Sequence, residues 1–96
     1  MKADKIKHFF SEPLIQLENG ALKKVKVEPN ANYPEHLHPD KTEYIYVLAG
    51  NPHFLIGSEL FAASPDEFYI FPVNVKHAIR NESENDCLLL VGSIKI

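Results

Sequence analysis

Three of the five histidines stand in a pattern that suits metal binding. His36 and His38 are separated by one residue, and Glu43 follows a few positions later. In a β-strand, residues i and i+2 point to the same face, so the two imidazoles are predicted to stand side by side. Glu43 has the opposite parity, and Pro39-Asp40-Lys41 supplies a turn or bulge at which the register can shift.

His77 completes the candidate set. It follows Pro72-Val73-Asn74 and is predicted to open a strand after a turn. Three neutral imidazoles and one carboxylate suit a divalent transition metal (Fe, Mn, Ni or Zn) and leave positions for water or substrate. From the residue types alone, a surface or hydrogen-bonded core position remains the alternative for each histidine.

Composition indicates one small globular domain. The chain has 96 residues, of which 45% are hydrophobic and 24% charged. Its formal charge of −3 argues against a nucleic-acid partner. No apolar run is long enough for a membrane span, and the N-terminal residues do not resemble a secretory signal, so we expect no membrane partner and a cytoplasmic location. Cys87, the single cysteine, excludes an intramolecular disulfide and is expected to be a buried, inert thiol.

Short β-prone segments between prolines and glycines predict an all-β sandwich or closed barrel. Residues 6–10 are either a helical turn or a covering strand. Val25 and Val27 interrupt a small basic cluster, Lys23, Lys24 and Lys26, as in an alternating strand, which favours a solvated strand face over a binding patch. A hairpin is expected at Gly57-Ser58. The predicted strands cover residues 22–28, 43–49, 53–56, 68–71, 75–81 and 88–96.

Two separated motifs resemble those of the cupin superfamily. The first motif is matched by His36-x-His38, followed after four residues by Glu43 and after six more residues by Gly50. Pro72-x-Asn74-x-x-His77-x-x-x-Asn81 is similar to the second, in which glycine usually stands at the asparagine of position 74. The resemblance implies that His36, His38, Glu43 and His77 are metal ligands. It assigns no catalytic residue and no site for an organic cofactor.

The sequence departs from the family pattern at three glycine positions. Asn30, Asp66 and Asn74 stand there instead. Asparagine is the residue after glycine that best tolerates a positive φ, so we expect the turns at positions 30 and 74 to be kept.

The resemblance implies a single-domain cupin double-stranded β-helix, a jelly-roll barrel. We expect residues 1–21 to cover the barrel or a dimer interface and residues 22–96 to form the barrel domain. Aromatic residues predicted to point outward at positions 44, 46, 69 and 71 are either covered by the N-terminal segment or buried against a second subunit, and the resemblance favours a homodimer. Asn81 is expected to support the barrel, whereas His8 and His53 are expected at the surface. The predicted barrel lining is Val25, Val27, Ile45, Val47, Phe68, Ile70 and Ile79.

Two functions are compatible with these residues. The first is a metal-dependent enzyme acting on a small molecule, with dioxygenase-type chemistry favoured over an isomerase or lyase. Arg80, the only arginine, is predicted to face away from the metal, so we expect a neutral or metal-chelating ligand rather than a phosphosugar. The second is a non-catalytic metal-binding or small-ligand sensor module. A purely structural interaction protein would leave the candidate ligands unexplained.

Overall fold

The computed structural model describes residues 8–96, and within that range the chain forms nine β-strands and no helix. Accordingly, no helix in this range is long and apolar enough to cross a membrane. The strands are β1 (Phe9–Gln16), β2 (Gly20–Val27), β3 (Asn32–His36), β4 (Lys41–Ala49), β5 (His53–Ile56), β6 (Glu59–Ala62), β7 (Phe68–Phe71), β8 (His77–Arg80) and β9 (Cys87–Lys95).

Two antiparallel sheets face each other across the core. The five-stranded sheet has the order β1-β2-β9-β4-β7, and the four-stranded sheet has the order β3-β8-β5-β6. Apolar residues alternate along β2, β4 and β9, so each of these strands turns one face to the interior. The arrangement is a jelly-roll β-barrel, which confirms the predicted fold class.

The interior is built mainly by three neighbouring strands. Register places Val25 opposite Leu89 and Ile45 opposite Val91, and directly paired residues face the same side of a sheet. Cys87 is fully buried, as predicted. Five of the residues predicted to line the barrel are indeed buried: Val25, Val27, Ile45, Val47 and Ile79.

The predicted orientation of β7 is wrong. Phe68 and Ile70 are 56% and 51% exposed, whereas Phe71 is 1% exposed and Tyr69 packs against the core. The cause is the register with β4, in which Glu43 is paired with Phe71 and Ile45 with Tyr69. Because Ile45 points inward, its partner must do so too.

Two strands lie outside the predicted strand ranges. For residues 6–10 the sequence leaves a helical turn and a covering strand open; Phe9 and Phe10 begin a strand that continues to Gln16, whereas Ile6 and Lys7 lie outside the described residues. β1 pairs with β2 along its length, with a bulge between Pro13 and Ile15. β3 pairs with β8 and places His36 at its end. The division into a covering segment (1–21) and a barrel (22–96) stays a prediction.

The three turns that lack the family glycine keep the left-handed backbone. The φ angles are 66° at Asn30, 72° at Asp66 and 64° at Asn74. The expectation for the two asparagines is confirmed, and Asp66 also adopts this conformation, which aspartate tolerates better than most residues. Asp66 accepts a 2.6 Å hydrogen bond from the Tyr46 hydroxyl, which holds the turn against β4.

The side chain of Asn81 joins two backbone segments from a fully buried position. Its Nδ2 donates to the carbonyl oxygens of Val27 at 2.9 Å and Asn85 at 2.8 Å. Its Oδ1 accepts from the backbone nitrogen of Ser83 at 3.0 Å and from Ser83 Oγ at 2.7 Å. The amide therefore fixes the loop between β8 and β9 against the end of β2, in agreement with its predicted supporting role.

Asn81→Ala should destabilise the barrel strongly. We expect the free energy of unfolding to fall by about 2–4 kcal/mol, because each buried polar group left without a partner costs about 1–3 kcal/mol. Guanidinium denaturation measures this change. Asn85→Ala is the matched control, because Asn85 contributes its backbone carbonyl to the network, and its effect should stay within about 0.5 kcal/mol. Equal stability of the two variants would contradict this role of Asn81.

Candidate metal centre

Two of the candidate ligands come from the four-stranded sheet. His36 at the end of β3 is directly paired with His77 at the start of β8. Direct partners project to the same side, so the two imidazoles meet on the inner face, with ring centroids 4.3 Å apart. The Phe71 ring lies 4.4 Å from the His77 ring, centroid to centroid, and covers it from the opposite sheet.

The other two candidate ligands lie on the segment that crosses to the five-stranded sheet. His38 follows the end of β3, and Glu43 lies on β4. Glu43 Oε1 is 3.5 Å from His38 Nε2 and 3.4 Å from His77 Nε2. The opposite parity of Glu43 is therefore resolved by a change of sheet through Pro39 and Asp40, rather than by a register shift within one strand.

The structure brings all four predicted residues together. One potential ligand atom from each of His36, His38, Glu43 and His77 lies within 4.8 Å of the others. The backbone nitrogen of Asn74 donates to the carbonyl oxygen of His38 at 2.8 Å, so the turn before His77 also holds the segment that carries His38. The cluster thus connects both sheets and both sequence motifs.

Hydrogen bonds to the second ring nitrogen orient two of the imidazoles. Nδ1 of His36 lies 2.8 Å from the Pro34 carbonyl oxygen, and Nδ1 of His77 lies 3.2 Å from that of Val75. A carbonyl only accepts, so each Nδ1 carries the proton and each Nε2 presents a lone pair. This is the arrangement that surrounding hydrogen bonds impose on metal-binding histidines.

His77 Nε2 is buried and has no hydrogen-bond partner. It lies 3.4 Å from Glu43 Oε1, and a carboxylate oxygen is also an acceptor. A cation placed between these lone pairs would satisfy both groups, and the combination of imidazole nitrogens with a carboxylate suits a divalent transition metal. The residues therefore fit a metal ion.

The protonation states of the cluster agree with this fit. Burial raises the pKa of the Glu43 carboxyl, but the Lys41 ammonium acts in the opposite direction, and the net pKa lies below the usual value. Burial lowers the pKa of His38, with Glu43 opposing, so the net pKa is below that of a free imidazole. An ionised carboxylate and a neutral imidazole are the forms that bind metals.

A cavity of about 100 Å³ adjoins the cluster. Glu43 is the single carboxylate among its lining residues, and four members of the predicted barrel lining do not border it: Val27, Val47, Phe68 and Ile70. Tyr33, which was not anticipated, stacks on His36 with ring centroids 4.5 Å apart. Burial, and secondarily the Glu43 charge, raise the pKa of Tyr33, which keeps its hydroxyl protonated. The cavity is lined by Phe9, Ser11, Lys23, Val25, Tyr33, His36, Glu43, Ile45, His77, Ile79 and Val91.

The remaining histidines lie outside the cluster. His8 is exposed and pairs with Glu28 at 3.0 Å. His53 is half-buried rather than fully at the surface, and its Nδ1 lies 4.0 Å from a carboxylate oxygen of Glu82. Arg80 is absent from the cavity lining, which agrees with its predicted orientation.

Comparison with known proteins gives the same fold. A curated relative, polyketide synthase CurC of Streptomyces cyaneus, is 25% identical over 64 residues, which are 67% of this chain and 42% of that protein. The Schizosaccharomyces pombe Cnp3 cupin domain superposes with a TM-score of 0.88 at 16% identity, covering 94% of this chain and 66% of that chain. TT1209 from Thermus thermophilus superposes with a TM-score of 0.87 at 25% identity, covering 93% of this chain and 85% of that chain. The model of the cupin domain family matches residues 23–92, and this chain therefore belongs to that family.

Proposed function

We propose that the chain binds one divalent transition metal ion through His36, His38, Glu43 and His77. The observation that carries the proposal is the buried, unpartnered His77 Nε2 facing the Glu43 carboxylate. The hydrogen bonds at Nδ1 of His36 and His77 support it, because they present both Nε2 lone pairs to the same space.

We further propose that the protein is a metal-dependent enzyme acting on a small metal-chelating molecule, with dioxygenase-type chemistry as the first reaction to test. A divalent ion in such a site supplies Lewis-acid chemistry or, if it is redox-active, electron transfer. The apolar cavity beside the cluster would exclude water and position the molecule. The protonated Tyr33 hydroxyl would donate a hydrogen bond to an oxygen of that molecule.

The chain's own residues restrict the acid–base chemistry. Glu43 is assigned as a ligand, and within residues 8–96 no second carboxylate lines the cavity. A proton acceptor in the reaction must therefore be the bound molecule itself or a hydroxide. This constraint favours substrates that ionise when they chelate a metal, such as hydroxy acids, oxo acids and catechols.

A second candidate function is a non-catalytic ligand-binding module. The small size of the cavity, about 100 Å³, favours it, because that space holds only a fragment of an ordinary metabolite. The two candidates differ in whether a bound chelator is converted.

We also propose that the protein is a homodimer formed through the outer face of the five-stranded sheet. Tyr44 is paired with Ile70 and Tyr46 with Phe68, so these apolar side chains share one face. The ring of Tyr44 lies directly across Gly92, where a Cβ atom would collide with it. Leu48 and Ile94 are exposed on the same sheet. A continuous apolar face of this kind is typical of a protein interface.

The metal assignment predicts a sharp loss of binding when two ligands are removed. The double variant His36→Ala/His38→Ala should bind Zn²⁺ more than about 100-fold more weakly than the wild type, because even the loss of an outer hydrogen bond to a ligand costs about 10–100-fold. Elemental analysis and competition with a chromophoric chelator measure the change. His53→Ala is the matched control and should keep full affinity. Unchanged Zn²⁺ affinity in the double variant would refute the assignment.

The enzyme proposal predicts metal-dependent turnover. Iron-loaded wild-type protein should consume O₂ with at least one hydroxy acid, oxo acid or catechol, and the double variant treated in the same way should not. The measurement is O₂ uptake together with product analysis by mass spectrometry. Tight binding of a chelator without conversion, with or without O₂, would instead favour the non-catalytic module.

The dimer proposal predicts a specific effect of charge on the outer face. Ile70→Lys should shift the protein from dimer to monomer in light scattering at micromolar concentration, because burying an ammonium at an apolar contact is costly. Leu60→Lys is the matched control, since Leu60 is 59% exposed on the other sheet. A monomeric wild-type protein, or a monomer produced equally by both variants, would contradict the proposed interface.

A further inference from the structure

Three lysines point to the inner face of the five-stranded sheet, at the end of the barrel beside the candidate metal centre. Lys23 lies two residues before the buried Val25, and Lys41 lies two residues before Glu43 on β4. Lys95 on β9 is directly paired with Lys41. Side chains alternate along a strand, and direct partners share a face. The side chains of all three lysines therefore lie on the inward face of their strands. We call this group the mouth lysines.

The mouth lysines surround a second, larger cavity. Its volume is about 290 Å³, and Gln16 and Ser93 add neutral hydrogen-bonding groups to its wall. Lys23, Glu43 and Val91 line both this cavity and the smaller one beside the cluster. A molecule in the larger cavity would therefore reach the candidate metal centre directly, with its other end among the ammonium groups.

The charges in the larger cavity are not balanced. Lys41 Nζ lies 3.9 Å from Glu43 Oε2, and within residues 8–96 neither Lys23 nor Lys95 forms an ion pair with a carboxylate. Direct pairing of like charges, as between Lys41 and Lys95, destabilises a sheet. The chain as a whole carries a formal charge of −3, so this positive region is local. A divalent cation bound by the four candidate metal ligands would add to the excess of positive charge in this region.

We propose that the mouth lysines form an anion-binding subsite for the carboxylate or phosphate group of a small metal-chelating ligand. The inference rests on the proposed function, because the metal centre would hold the chelating end of the same molecule. Such a subsite would favour ligands that are both chelating and anionic. The outward orientation of Arg80 had suggested neutral ligands as well. Lysines act here as point charges and do not need the planar geometry of an arginine.

The inference is tested with malonate and malonamide, which share a skeleton but differ in charge. Calorimetric titration of Zn²⁺-loaded wild-type protein should give at least about tenfold tighter binding of malonate at low ionic strength, where salt weakly screens the attraction of the three ammonium groups for the dianion. Carboxylates also chelate Zn²⁺ more strongly than amides, so the effect of the lysines is read from the comparison between proteins. The triple variant Lys23→Gln/Lys41→Gln/Lys95→Gln should keep its Zn²⁺ and its malonamide affinity, but should bind malonate at least about tenfold more weakly than the wild type. A parallel titration with inorganic phosphate distinguishes the two anion types, and lysine-dependent binding of either supports the subsite.

Lys24→Gln is the matched control, because Lys24 lies on the same strand but on the opposite face. It should bind malonate as the wild type does. Equal malonate affinity in the wild type and the triple variant, both loaded with Zn²⁺, would overturn the inference and leave the metal proposal intact. If the wild type binds no Zn²⁺, the metal proposal fails, and the same comparison on the metal-free proteins decides the lysine subsite.

Discussion

Glu43 Oε1 and His77 Nε2 face each other 3.4 Å apart between the two sheets, and both atoms are hydrogen-bond acceptors. His77 Nδ1 donates its hydrogen bond to the Val75 carbonyl oxygen, so Nε2 carries no proton to donate to the carboxylate. A buried acceptor that lacks a partner costs about 1–3 kcal/mol, which makes this pair of atoms the natural place for a cation. Backbone pairing holds both residues in position. Glu43 is held opposite Phe71 and Ser93, and His77 opposite His36 and Ile56. The remainder of the site is arranged around this contact.

The sequence motifs locate the candidate site well because their signals are local. Histidines, a glutamate and turn-forming asparagines stand at fixed separations, and the backbone angles at Asn30 and Asn74 agree with what those residue types tolerate. The strand positions at residues 53–56 and 68–71 were also predictable from their β-prone composition and flanking turns.

The orientation of strands required long-range information. β7 is Phe-Tyr-Ile-Phe, in which every side chain is apolar or aromatic, so no charged residue indicates which face is buried. Its pairing with β4 decides that question, and pairing is not encoded in the four residues themselves. β1 was missed for a related reason: Glu12 and Pro13 weaken its strand character, and its pairing with β2 outweighs them. The inward face of Val25 and Val27 was predictable, but the place of Lys23 on that face, beside Lys41 and Lys95, depends on the positions of β4 and β9.

The position of β9 has a consequence for how the protein is made. β9 lies between β2 and β4 at the centre of the larger sheet, yet it is the last of the nine strands to be synthesised. Until Cys87–Lys95 has left the ribosome, neither β2 nor β4 has its central partner, and the apolar faces of both remain open. The smaller sheet can pair earlier, because all of its strands precede residue 81. Closure of the barrel is therefore a late event in synthesis, and the nascent chain must be kept from aggregation until then.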